Sequence, residues 1–159
     1  MMRIGHSTDI HRLEPGNTLI LGGVKIPSPY QSVGHSDADC LLHSMAEALL
    51  GSLALGDLGS HFPDTNDEFR DLDSGVILRY AHEAVQREGY EIGNIDALVF
   101  LEKPKLSNYI DAMRATVANL LNIKKNQVSI KATTGEKIGM VGSSQAIVCE
   151  TVVLVKKVK

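Results

Sequence analysis

Residues 36–51 read SDADCLLHSMAEALLG. Leu41, Leu42, Met45, Leu49 and Leu50 recur at helical spacing, and Ser36-x-x-Asp39 resembles an N-terminal capping box, so the pattern predicts an amphipathic helix opening at Ser36. Upstream the period is different. Met2 to His11 is short and strand-like, Thr18 to Gly22 and Val24 to Ile26 look like a further pair punctuated by Gly22 and Gly23, and Pro27-Ser-Pro29 ends that region. The switch of period at Ser36 sets the fold class.

Downstream, Gly51 to Arg70 reads as a long Gly-rich, Asp-rich loop, or a short turn of helix plus loop, and loops of that length are usually functional or disordered. A second helix starts near Asp73-Ser74 and stops at Gly89; a third runs from about Asn108 to Leu121. Strands are expected at Ile95 to Leu101, Gln127 to Thr133 and Ala146 to Val155. This order makes an α/β (α+β) sandwich, a mixed sheet with helices on one face, over a single domain of residues 1–159.

A domain of this size buries about 68 to 70% of its unfolded surface and needs no disulfides. With Cys40 and Cys149 as its only cysteines and no secretory segment, a reduced setting is expected: cytoplasmic, or organelle stroma if this is a processed form. No apolar run approaches the roughly 20 residues that span a bilayer, which argues against a membrane partner. Sixteen Lys+Arg against 19 Asp+Glu is not a polyanion-binding balance, so a DNA or RNA partner is not expected. A small anionic ligand is compatible with this balance.

Asp9-Ile10-His11 places a carboxylate and an imidazole on the same side of a strand. His43, on the stripe Asp39, His43, Glu47 of the first helix, offers a third ligand. Carboxylate plus two imidazoles suits Zn²⁺ and leaves the fourth tetrahedral position for water or substrate. Cys40, one turn before His43, would instead close the site into a structural one, although between apolar neighbours it reads better as a small buried hydrophobe. His35 and Ser36 stand at the helix start, where unpaired amides attract anions; capping alone also accounts for Ser36.

Two further stretches carry candidate groups. Leu55 to Thr65 offers Asp57 and Asp64 as acceptors for ligand hydroxyls or a hydrated metal, with Gly56 and Gly59 allowing close backbone approach; a capped turn accounts for them equally well. Lys131-Ala-Thr-Thr-Gly-Glu136 leaves a strand through two hydroxyls, as phosphate cradles do, and Glu136 suits Mg²⁺ bridging phosphate oxygens. Thr-Gly-Glu is also a common turn. His61 and His82 carry no paired ligand and read as structural.

Taken in order, Gly5-His-x-x-Asp-x-His11, Gly34-His-Ser-Asp-Ala-Asp39 with His43, Ala48-Leu-Leu-Gly51, Gly56-Asp-Leu-Gly59, Phe62-Pro-Asp-Thr65, Gly93-Asn-Ile-Asp96 and Lys131-Ala-Thr-Thr134 closely resemble the 2-C-methyl-D-erythritol 2,4-cyclodiphosphate synthase family, over essentially the whole chain. The resemblance implies a homotrimer of α/β subunits with active sites between neighbours. It assigns Asp9, His11 and His43 to zinc, His35 and Ser36 to the methylerythritol phosphate, and Asp57, Gly59 and Asp64 to the sugar-alcohol pocket. Pro104, Lys105, Leu106, Ala132, Thr133 and Thr134 match its nucleotide-binding positions; Glu136 matches its divalent-cation ligand, Mg²⁺ or Mn²⁺. His35, Thr134 and Glu136 are the residues it implies for catalysis. The implied reaction closes a cyclic diphosphate within a diphosphocytidyl substrate and releases CMP.

Three positions depart from the family's pattern. Glu47 stands for an aspartate, Gly135 for a third threonine, and Gly142-Ser-Ser-Gln145 for a segment in which many relatives carry Arg-x-Glu facing the trimer's central cavity. Two other readings compete: a zinc-dependent phosphoesterase that admits water as nucleophile, and a non-catalytic nucleotide-binding module whose zinc is structural with Cys40 as fourth ligand.

Overall fold

The computed structural model describes residues 1–34 and 36–159. Strand β1 (Met2–Pro15) alternates strictly: Gly5, Ser7 and Leu13 are buried while Ile4, His6, Thr8 and Ile10 are exposed. It is longer than the sequence pattern suggested because its far end pairs with β4 (Tyr30–Val33), a strand hidden behind Pro27-Ser-Pro29. β2 (Thr18–Leu21) and β3 (Val24–Pro27) form a separate hairpin whose turn, Gly22-Gly23, has φ of +58° and +72°, a conformation that favours glycine.

The helix predicted from Ser36 opens instead at Cys40. Helix α1 (Cys40–Ser52) has Asp39 as N-cap, and Ser36 lies in the turn before it. Leu41, Leu42, Met45, Leu49 and Leu50 are wholly buried, because α1 lies between sheet, hairpin and a neighbouring helix. Gly5 permits this: a methyl group there would overlap the Ala48 carbonyl oxygen of α1. The long loop contains α2 (Leu58–His61) and a 3-10 turn (Asp67–Phe69). Helix α3 (Ser74–Arg87), capped by Asp73, buries Ile77, Leu78, Ala81 and Val85, and α4 (Ile110–Leu121) buries Met113, Val117 and Leu121. A last turn of helix, α5 (Gly139–Gly142), precedes the final strand.

β5 (Tyr90–Phe100), β6 (Val128–Thr133) and β7 (Ala146–Lys157) complete a five-stranded sheet of order β4-β1-β7-β5-β6. β5 and β6 run parallel; β7 is antiparallel to both β1 and β5. The sheet is mixed, as expected. One face packs on the helices; on the other, Ile4, Ile10 and Val152 are exposed. No helix among the described residues is long and apolar enough to cross a membrane.

Candidate active site

The inner row of β1 and the first turn of α1 bring together three side chains from two elements. Nε2 of His11 lies 3.1 Å and Nδ1 of His43 lies 3.7 Å from Oδ2 of Asp9. One ligand atom from each residue falls within 4.8 Å of the others, the only such group found among the described residues. The His11 Nδ1 is 2.9 Å from the Ala38 carbonyl, which can only accept, so that nitrogen carries the proton and Nε2 of the neutral ring presents a lone pair. Oδ2 of Asp9 is buried with no hydrogen-bond partner among the described residues. A buried carboxylate oxygen facing imidazole lone pairs is costly unless a cation sits among them. The donor set therefore fits a divalent metal.

Without a metal, protons take the cation's place: burial works to raise the pKa of Asp9, but His11 and His43, when protonated, outweigh it and hold the carboxyl well below the usual range. Burial works to lower that of His11, and Asp9 beside it raises it on balance. Cys40 stays out of the cluster: its thiol is fully buried and donates to the carbonyls of Asp9 (3.3 Å) and Ile147 (3.9 Å). The three-ligand set is thus open, as the sequence reading preferred.

It opens on a cavity of about 420 Å³ lined by Asp9, His11 and His43 together with Ser36, Gly59 and Asp64. His35 lies outside the described residues. Asp57 does not line the cavity; it caps α2, accepting from the Ser60 amide at 2.9 Å and the Ser60 hydroxyl at 2.6 Å, and these bonds depress its pKa. Ser36 has φ of +61°, and its hydroxyl is 3.3 Å from Nε2 of His43. Phe62, Asn66, Phe69, Arg70 and Ile77, none of them singled out from the sequence, complete much of the wall. They come from the loop and α3, and no ligand spacing marks them. His61 is structural, fixed between the Leu55 carbonyl and the Tyr80 hydroxyl, each at 2.8 Å, and His6 points to the opposite face of the sheet.

Two members of the expected helix stripe behave differently. Asp39, as N-cap rather than a residue within the helix, turns away and accepts from the amides of Gly22 (3.0 Å), Gly23 (2.8 Å) and Leu42 (3.0 Å). Complete burial pushes its pKa up to about 6 against those three donors. Glu47 remains at the cavity wall, but it accepts from the Ser7 hydroxyl at 2.8 Å and the Leu58 amide at 3.3 Å, tying β1 to α2.

A second cleft, of about 340 Å³, collects the other predicted group: Pro104, Lys105, Leu106, Ala132, Thr133 and Thr134, with Leu101, Glu102, Ser107 and Ile110. The register Ile10↔Val148↔Phe100↔Thr133 sets the middle of β1, beside Asp9 and His11, level with the C-terminal ends of β5 and β6, so both cavities lie at that level of the sheet. Glu136 is exposed, lines neither cavity, and has φ of +53°. The amide of Gly135 donates to Glu102 at 2.9 Å, and a side chain at Gly135 would press on the backbone of Gly142, which accounts for glycine there.

Comparison with known proteins identifies the family. The YgbB family profile matches residues 2–156. A 2-C-methyl-D-erythritol 2,4-cyclodiphosphate synthase of Natranaerobius thermophilus is 49% identical, covering 98% of this chain and 99% of its own. The bifunctional IspDF of Campylobacter jejuni superposes with a TM-score of 0.96 at 33% identity, over the whole of this chain, which spans 43% of that longer one. The CDP complex of Plasmodium falciparum IspF superposes at 0.88 with 35% identity, covering 99% of this chain and 97% of that one. The chain belongs to the YgbB family.

Proposed function

We propose that this chain is a 2-C-methyl-D-erythritol 2,4-cyclodiphosphate synthase, converting 4-diphosphocytidyl-2-C-methyl-D-erythritol 2-phosphate to the 2,4-cyclodiphosphate and CMP in non-mevalonate isoprenoid precursor synthesis. The observation that carries the reading is the convergence of Asp9, His11 and His43 on one wall of a polar cavity in a chain similar over its full length to enzymes of that name. An oxygen of the 2-phosphate attacks the β-phosphorus, a new P–O–P link closes the ring, and the bond from that phosphorus to the CMP oxygen breaks.

The nucleophile is already an anion near neutral pH, since a phosphate monoester has its second pKa at about 6. No general base is needed. The task is alignment and charge neutralisation, and proximity alone is worth at best about 7 to 11 kcal/mol. Asp9, His11 and His43 would hold Zn²⁺, which when bound supplies Lewis-acid neutralisation of a phosphate oxygen. Glu136 supplies a carboxylate for Mg²⁺ or Mn²⁺. His35 and Ser36 hold the methylerythritol phosphate, while Gly59 and Asp64 take the sugar-alcohol hydroxyls from a turn that Asp57 caps. Pro104, Lys105, Leu106, Ala132 and Thr133 take the cytidine diphosphate, and Thr134 steadies its phosphates. Phe62 and Phe69, packed edge to face at 5.2 Å on the cavity wall, limit water beside the reacting phosphorus.

In this reading residues 1–159 act as one unit, and three chains bury the apolar outer face of the sheet so that each metal cavity meets a neighbour's nucleotide cleft. The exposure of Ile4 (68%), Ile10 (52%) and Val152 (44%) on adjoining strands supports that burial. Incubation with the diphosphocytidyl substrate tests the function: one CMP per cyclic product is expected, and linear hydrolysis products would favour the phosphoesterase instead.

A further inference from the structure

Beyond the metal cluster, His43 makes a second set of contacts. Its Nε2 lies 2.8 Å from the hydroxyl of Ser74, a fully buried residue that opens α3, 31 positions away in the chain. That hydroxyl donates to Oδ1 of Asp37, while Oδ2 of Asp37 accepts the Ser74 amide at 3.2 Å. Asp37 is fixed in turn by the Asp39 amide, 3.2 Å from Oδ1. The cap of α3 is Asp73, whose carboxylate accepts from Gly75 at 2.6 Å, so the Ser74 hydroxyl is not needed to start that helix.

The direction of the protons follows from the chemistry. A carboxylate only accepts, so Ser74 spends its single hydroxyl proton on Asp37 and meets His43 with a lone pair. His43 then carries its proton on Nε2, directed at the nearer Ser74 oxygen rather than at the Ser36 hydroxyl 3.3 Å away. Its other nitrogen, Nδ1, is left as the lone pair facing Oδ2 of Asp9.

We propose that Ser74 is a positioning residue for the metal centre, relaying the charge of Asp37 to His43 and fixing that imidazole as the tautomer that ligates through Nδ1. The proposal rests on the reading that Asp9, His11 and His43 hold a divalent metal. It makes the two imidazoles unequal: His11 is oriented by a neutral carbonyl and His43 by a hydroxyl backed by a carboxylate. It also couples α3 to the cavity, because α3 contributes both Ser74 and Ile77.

The test compares the full chain with Ser74→Ala and Asp37→Asn. Zinc affinity is measured by competition with a chromophoric chelator, and the His43 tautomer by ¹⁵N NMR of the metal-free chain. We expect Ser74→Ala to keep its helical circular dichroism, to bind zinc about 10- to 100-fold more weakly, and to lose the Nε2-protonated signature of His43. Asp37→Asn should weaken binding in the same direction, and it serves as the test if Ser74→Ala does not fold. Unchanged affinity together with an unchanged tautomer in the folded variants overturns the relay. If the wild-type chain takes up no zinc, the metal reading fails, and the tautomer comparison then decides the relay alone.

Discussion

His11 presents Nε2 to Asp9 at 3.1 Å because the other nitrogen of the ring is held by the Ala38 carbonyl. Replacing His11 by Ala removes a ligand outright, so zinc affinity should fall by more than the roughly 10- to 100-fold that loss of an outer partner costs. Equilibrium dialysis with metal analysis measures it. Because Asp9 raises the pKa of His11 on balance, zinc held there would compete with a bound proton. In the wild-type chain apparent affinity should therefore fall as the pH drops, starting at a higher pH than an ordinary histidine would give.

Asp39 joins the hairpin turn to the start of α1 through three backbone amides. Asp39→Ala removes the helix cap and leaves the amides of Gly22 and Gly23 without their acceptor, costing about 2 to 5 kcal/mol. A lower urea midpoint at unchanged slope is the expected result.

Gly5 lets α1 lie directly on β1. Gly5→Ala should cost about 1 to 3 kcal/mol from overpacking. Since α1 carries His43 and β1 carries Asp9 and His11, the same change should weaken zinc binding. Thermal unfolding and chelator competition, run on one preparation, check both effects.

Val152 occupies the exposed face of β7, paired across from His6 on β1 and Asp96 on β5. If three chains bury this face, Val152→Asp places a carboxylate in the interface, next to Asp96. Light scattering should then give a mass near one chain in place of three. A wild-type mass of one chain would remove the interfacial part of the proposed function.

Much of this was legible along the chain because it rests on local periods. The alternation of β1 placed Asp9 with His11, and the apolar spacing of α1 placed His43. Asp39 misled because it was read as a member of the helix stripe; its ψ of 93° lies outside the helix and sends the side chain to the hairpin. β4 was missed because Tyr30-Gln-Ser-Val33 is only partly buried and pairs on one side, so it lacks alternation. The bulge between Ile92 and Asn94 similarly hid the first half of β5. Contacts such as Asp37 to Ser74 join residues 37 positions apart, and no spacing rule reaches them.

The central claim is that a phosphate of the substrate, rather than water, attacks the β-phosphorus. Turnover of the diphosphocytidyl substrate in H₂¹⁸O, followed by mass spectrometry of both products, tests it most directly. The account predicts cyclic diphosphate and CMP free of ¹⁸O; a product phosphate carrying one ¹⁸O would contradict it.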